Sequence, residues 1–149
     1  MSEGFAPSQE FADLFFLAID HGFESIEDGA GPLIPFVLTQ SFAGERDLHR
    51  FVTEELSDGV MRAQAYVEEN RTSIRMYAIA SDAYITIDGK KWDAILVEAG
   101  DSSSPVGAVF AQRYQAGKKG FFRKAKNERV GNPALISHPV SRLSPSGAP

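Results

Sequence analysis

The sequence predicts an α+β domain in which two helices pack on one face of a mainly antiparallel sheet of about five strands, in the order helix, hairpin, helix, three-strand meander. Three observations carry that expectation. Ile85-Thr86-Ile87-Asp88-Gly89-Lys90-Lys91-Trp92 alternates apolar and polar residues around Asp-Gly, the pair best suited to the positive φ of a two-residue hairpin turn. Phe11, Leu14, Phe15, Ala18 and Ile19 recur at the i, i+3, i+4, i+7, i+8 spacing of an amphipathic helix. Leu56, Val60, Ala63 and Val67 form a second seam of helical period, with Glu55, Arg62, Glu68 and Glu69 on its wet side.

The elements follow in order. Ser8 caps the first helix; Gly22 supplies its stop, with His21 favouring the negative end of the macrodipole. Phe16 and Leu17 widen its apolar arc, which predicts a helix sandwiched between layers. Residues 24–31 are acidic, contain Gly and read as a loop. Residues 33–39 read as a strand, and Pro32 and Pro35 suit a sheet edge because each lacks a backbone donor. For residues 46–52 a returning hairpin strand is favoured over a short helix. Ser57-Asp58 opens the second helix, with the acid in the first turn, and Asn70 ends it. Residues 73–80 begin the meander, Ser81-Asp82 marks a break or bulge before Tyr84, and the Ser-rich loop 101–105 leads into residues 106–110. Residues 1–138 form a single domain on this reading, and the Pro/Ser/Gly-rich residues 139–149 have the composition of a tail.

The turn fixes a register. Ile87 opposes Lys90, Ile85 opposes Trp92, Tyr84 opposes Asp93 and Ala83 opposes Ala94. A cross-strand pair such as Ile85–Trp92 contributes ~0.2–1 kcal/mol. Counting by two from Trp92 through Ala94 and Leu96 reaches Glu98, a carboxylate in phase with an apolar face. It needs water, a proton or a partner, and Arg75 and Arg113 are the natural partners on neighbouring strands. A solvated strand end is favoured over a pocket that Glu98 shares with Asp93 or Asp101. Residues 94–97 are apolar at both parities, which calls for cover on both faces. The segment around Phe121 and Leu135-Ile136 could supply the second cover, or another copy of the chain in a homodimer.

Composition removes several chemistries. There is no Cys, so disulfides, thiol nucleophiles and thiolate metal sites are excluded. The longest apolar run, residues 14–19, falls short of the ~20 residues a spanning helix needs. Met1-Ser2-Glu3-Gly4 lacks the basic start of a signal peptide, and the expected location is the cytoplasm. His21, His49 and His138 show no metal-ligand spacing. Ser102-Ser103-Ser104 lacks the Gly-x-Ser-x-Gly elbow, and no phosphate-binding Gly loop is present. A carboxylate–metal hydrolase using Asp82 or Asp93 with Glu98 would want Lys two residues after the Glu, where Gly100 stands.

Charge is uneven. Residues 1–114 carry eight Lys/Arg and nineteen Asp/Glu, a net −11, while residues 115–149 carry seven Lys/Arg and one Glu, a net +6. The run holding Lys118, Lys119, Arg123, Lys124 and Lys126 interleaves Phe121 and Phe122, a composition suited to a polyanion. Docking of the two Phe residues on the core is favoured, because the chain as a whole is acidic and nucleic-acid binders are basic. The leading functional expectation is a non-catalytic interaction or accessory protein with no cofactor or metal, a protein partner or self-association, and no nucleic acid or membrane. The alternatives are a ligand pocket or metal-dependent hydrolase drawing on Tyr84, Asp93, Glu98 and Arg113, and polyanion binding through residues 118–126.

Overall fold

Ser8 opens the first helix as its sequence position implies: in the computed structural model its Oγ accepts a hydrogen bond from the Phe11 amide at 3.1 Å. The structure describes residues 6–29, 31–117 and 126–144. Helix α1 (Gln9–Ile26) buries the whole stripe from Phe11 to Ile19 and runs past Gly22, where it was expected to stop. Phe23 and Ile26 continue the stripe, and Gly22 is a contact point. A Cβ there would lie 3.2 Å from Ile95 and 3.3 Å from Leu33, so the absent side chain lets the helix settle on the sheet. The helix is not sandwiched, since Phe16 and Leu17 are exposed.

Strands β1 (Phe36–Ser41) and β2 (Arg46–Arg50) make the hairpin, and α2 (Leu56–Glu69) follows. Glu55, not Ser57, holds the N-cap position of α2; Asn70 ends the helix as expected. Strands β3 (Ile74–Ile87), β4 (Lys90–Asp101) and β5 (Ala108–Gln115) form the meander, and β6 (Glu128–Ser137) completes the sheet. All neighbours are antiparallel in the order β2-β1-β3-β4-β5-β6. β1 is therefore interior and β2 is the edge. Pro32 and Pro35 precede Phe36, so they cost the ladder no donor, and the Pro35 carbonyl accepts from the Phe51 amide at 2.9 Å.

The hairpin register is the one the Asp-Gly turn dictates, with Asp88 and Gly89 both at positive φ (52° and 79°). No break occurs at Ser81-Asp82; β3 pairs with β4 without interruption from Met76 to Ile87. The strand tolerates Asp82 because both carboxylate oxygens find donors there.

The two helices lie on opposite faces, not on one. Phe36, Leu38, Met76, Ala78, Ala80, Ile95 and Val97 pack with α1, whereas Val37, Tyr77 and Ile79 pack with Ala63 and Val67 of α2. These strand residues alternate in sequence, so they alternate in face. β1 and β3 are apolar at both parities and need a cover on each side. Leu143, from the segment whose composition suggested a tail, joins the α2 cluster, and Ser141 is buried beside it.

Candidate functional site

The four residues that the sequence assembles into one pocket are divided by the sheet. Along β3 and β4, Asp82, Tyr84, Asp93 and Ile95 belong to the α1 face, and Trp92, Ala94, Leu96 and Glu98 to the other. Arg113 pairs with Ala94 across β4 and β5, so it too lies on the far face. Asp93 and Glu98 therefore project in opposite directions and cannot converge on one metal ion or water molecule.

Glu98 is neither solvated nor paired with Arg75 or Arg113. Arg75 bonds Glu10 at 3.0 Å, and Arg113 stacks 4.9 Å from the Trp92 ring centre. The partner of Glu98 is Arg142, whose Nε donates to Oε2 at 2.6 Å. Tyr77 Oη donates to the same oxygen at 3.1 Å and accepts from the Arg142 amide at 3.1 Å. The second arm of Arg142 reaches Glu68 on α2 at 2.7 Å. Gly100 leaves the space beside this knot: a Cβ there would collide with the Tyr77 ring and come within 2.6 Å of Ser141 Oγ. Burial, reinforced by the Glu98 charge, pushes the Tyr77 phenol well above its ordinary value, so it stays a donor. Burial alone would weaken the Arg142 charge, but hydrogen bonding and attraction to Glu98 outweigh it and raise its pKa. The knot latches the chain end across the α2 face.

Tyr84 and Asp93 meet elsewhere, beyond the C-terminal end of α1. Across three strands Tyr84, Asp93 and Tyr114 stand in one row, each opposite the next. They line a cleft of about 500 Å³ with Asp82, Ala83, Asn127 and the apolar side chains of Pro32 and Leu56. Asp82 is fully used: Oδ2 accepts from the Leu33 amide at 2.8 Å and Oδ1 from Tyr114 Oη at 2.8 Å. Burial, the Asp82 hydrogen bond and the charges of Asp82 and Asp93 push the Tyr114 phenol well above its ordinary value. Asn127 closes the rim; its amide nitrogen and Nδ2 donate to the carbonyls of Glu27 and Ile26 at 2.8 and 2.6 Å.

A third region is the far face of β4, β5 and β6. Ile85, Trp92, Leu96, Val109 and Val130 share it with the fully buried Ala94 and Ala111. Helix α2 packs against β1 and β3, and the latch stops at Glu98. No described helix covers this half of the face, and its five large apolar residues are half-buried. Lys90 Nζ sits 4.0 Å from the Trp92 ring centre on one side of the patch, with Arg113 on the same ring. No family model, curated protein or solved structure matches the chain.

Other candidate groups are dispersed. Among the described residues no group of three or more His, Asp or Glu could hold a metal ion. His21 lies 3.0 Å from Arg50 Nη2, His49 3.0 Å from Tyr66 Oη, and His138 donates to the Gly107 carbonyl at 3.0 Å. Lys118, Lys119, Arg123 and Lys124, with Phe121 and Phe122, lie outside the described residues; Lys126 is exposed. No described helix is long and apolar enough to cross a membrane.

Tyr114 and Arg142 are not among the residues the sequence singles out, and Asp82 stands there only as a break or as an alternative to Asp93 in a metal site. The register carried a signal for two of them: counting back by two from Tyr84 gives Asp82, and extending the meander past Asp93 gives Tyr114. Nothing in the composition of residues 139–149 marks Arg142 as the partner of Glu98.

Proposed function

We propose that the protein is a cytoplasmic, non-catalytic interaction protein that docks an acidic, apolar segment of a partner protein on the open half of its sheet. One observation carries this reading: an apolar sheet face left without a described helix is rimmed by two cations, and neither Lys90 nor Arg113 has a described carboxylate within ion-pair distance. An uncovered apolar face marks an interaction site. Charge complementarity then selects the occupant. Residues 1–114 hold only eight Lys/Arg against nineteen Asp/Glu, and two of the eight flank this patch. A second copy of the chain would bring Lys90 and Arg113 of both copies into one interface, a like-charge contact that opposes self-association. An aromatic with stacked Arg is also the composition of interface anchors.

Trp92 is the only tryptophan, so its fluorescence reports this face directly. The test titrates the protein with two synthetic peptides, one alternating Glu with Val and one alternating Lys with Val. The acidic peptide is expected to shift Trp92 emission, with a response that weakens as salt rises, and the basic one to leave it unchanged. Arg113→Glu should reverse the preference. Equal response to both peptides, or none to either, overturns the reading. Native mass spectrometry showing a dimer that Trp92→Ser dissolves would assign the face to self-association instead.

A further inference from the structure

We propose that the cleft on the α1 face is a binding site for an organic cation, a primary ammonium or guanidinium group carried on an aliphatic stem. Its row of Tyr84, Asp93 and Tyr114 lies on the opposite side of the sheet from Trp92 and Arg113 of the docking face. Its centre is the row Tyr84–Asp93–Tyr114, a carboxylate flanked on both neighbouring strands by a tyrosine. Directly opposed residues on adjacent strands have Cβ atoms about 4.5–5.5 Å apart, so the two rings wall the carboxylate on either side.

Asp93 is the acceptor left over. Asp82 spends its two oxygens on Leu33 and Tyr114, whereas half-buried Asp93 has no hydrogen bond or ion pair among the described residues. Tyr114 gives its proton to Asp82, which leaves its oxygen an acceptor toward the cleft. A cation therefore finds one full charge and aromatic rings on the same wall. Pro32, Leu56 and Ala116 supply the apolar surface that a methylene stem would cover, and a volume of about 500 Å³ admits such a chain.

An independent observation points to the same ligand class. Lys91, two residues from Asp93 on the same face, places its ammonium 4.0 Å from the Tyr84 ring centre but not within ion-pair distance of Asp93. The chain's own ammonium already uses the outer ring of the row, and the inner position between Asp93 and Tyr114 stays open. Two carboxylates against one ammonium leave this corner net negative.

The experiment follows backbone amide shifts of the full-length protein by two-dimensional NMR. The probes are n-butylammonium, an N-acetyl Gly-Lys-Gly amide, its Arg counterpart, and the same Lys peptide acetylated on the side chain. The cationic probes are expected to move the amides of Tyr84, Asp93, Tyr114 and Asn127, and the acetylated peptide to leave them in place. Asp93→Asn keeps the shape and should weaken binding by at least about tenfold. Lys91→Met removes a competing like charge and should strengthen it about threefold, a gain that misfolding cannot produce. Peptides binding more tightly than butylammonium assigns the site to a protein side chain; equal affinity assigns it to a free amine. The proposal is overturned by shifts outside the cleft, by equal binding of the acetylated peptide, by Asp93→Asn binding as wild type, or by no saturation with any cationic probe.

Discussion

Replacing Arg142 with Met tests how firmly the chain end is latched, and its cost can be worked from the structure. The variant loses two charged hydrogen bonds, to Glu98 at 2.6 Å and to Glu68 at 2.7 Å. The Glu68 carboxylate is half exposed, so that arm is worth no more than about 1 kcal/mol. Glu98 is different: its side chain is 15% exposed and that of Arg142 27%. A charged hydrogen bond in such a setting contributes about 1.5–3 kcal/mol, and a fully buried carboxylate stripped of its partner costs about 3–5 kcal/mol. Residual exposure and the remaining Tyr77 donor bring the expected loss to about 2–3 kcal/mol. Urea unfolding followed by circular dichroism should show this as a midpoint lowered by about 1–1.5 M with an unchanged slope. Adding Glu98→Leu removes the orphaned charge, so the double variant should recover at least about half of the loss. A loss below about 0.5 kcal/mol in the single variant, or simple additivity in the double, would refute the latch.

Three further outcomes follow from the same contacts. Tyr77 and Tyr114 have folded-state pKa values above the ordinary value of about 10, so stability is intact below pH 10 and falls as pH rises beyond it. The slope should reach about 1.4 kcal/mol per pH unit for each of the two; ultraviolet titration should show two of the four tyrosines ionising only on unfolding. Gly100→Ala drives a methyl into the Tyr77 ring, which the latch holds in place, and should cost about 3 kcal/mol in chemical unfolding; Gly44→Ala, whose Cβ would meet nothing, serves as the comparison and should lose only about 1 kcal/mol through its positive φ. Asp82→Ala strands the Leu33 amide and the Tyr114 hydroxyl, with an expected loss of about 2–3 kcal/mol and a Tyr114 titration returned toward 10.

The parts of the fold that could be read from sequence are those set by local rules. The Asp88-Gly89 turn fixed twelve residue pairs between β3 and β4, and the stripe from Phe11 to Ile19 fixed the buried side of α1. What could not be read is non-local. Gly22 resembles a helix stop until Ile95 and Leu33 are beneath it, and Asp82 resembles a break until Leu33 and Tyr114 donate to it. β6 escaped notice because Gly131 and Pro133 interrupt its alternation. The structure absorbs both in register shifts against β5, where the buried Gln112 amide donates to the carbonyls of Val130 and Gly131. Of the site, the Tyr84–Asp93 pair is legible from the turn, and the separation of Asp93 from Glu98 is legible from parity, which rules out a pocket shared by the two.

That parity ties the two faces to a single determinant. Asp93 and Glu98 are five residues apart on one continuous strand, an odd separation that sends them to opposite sides. A one-residue slip of β4 would turn Asp93 toward the far face and Glu98 toward α1, stranding a carboxylate against Phe110 and Ala78 and emptying the tyrosine row. The turn sets the register, and the residues beyond it make any other register costly. Glu98 meets Arg142 and Tyr77 only on the α2 face, and Asp93 stands between Tyr84 and Tyr114 only on the α1 face. The same alternation leaves Trp92, Leu96 and Val109 together on the half of the sheet that no described helix covers. The latch, the cleft and the proposed docking face are thus consequences of one register. A substitution that loosens the hairpin turn should disturb all three, whereas one confined to a single face should leave the other face's binding intact.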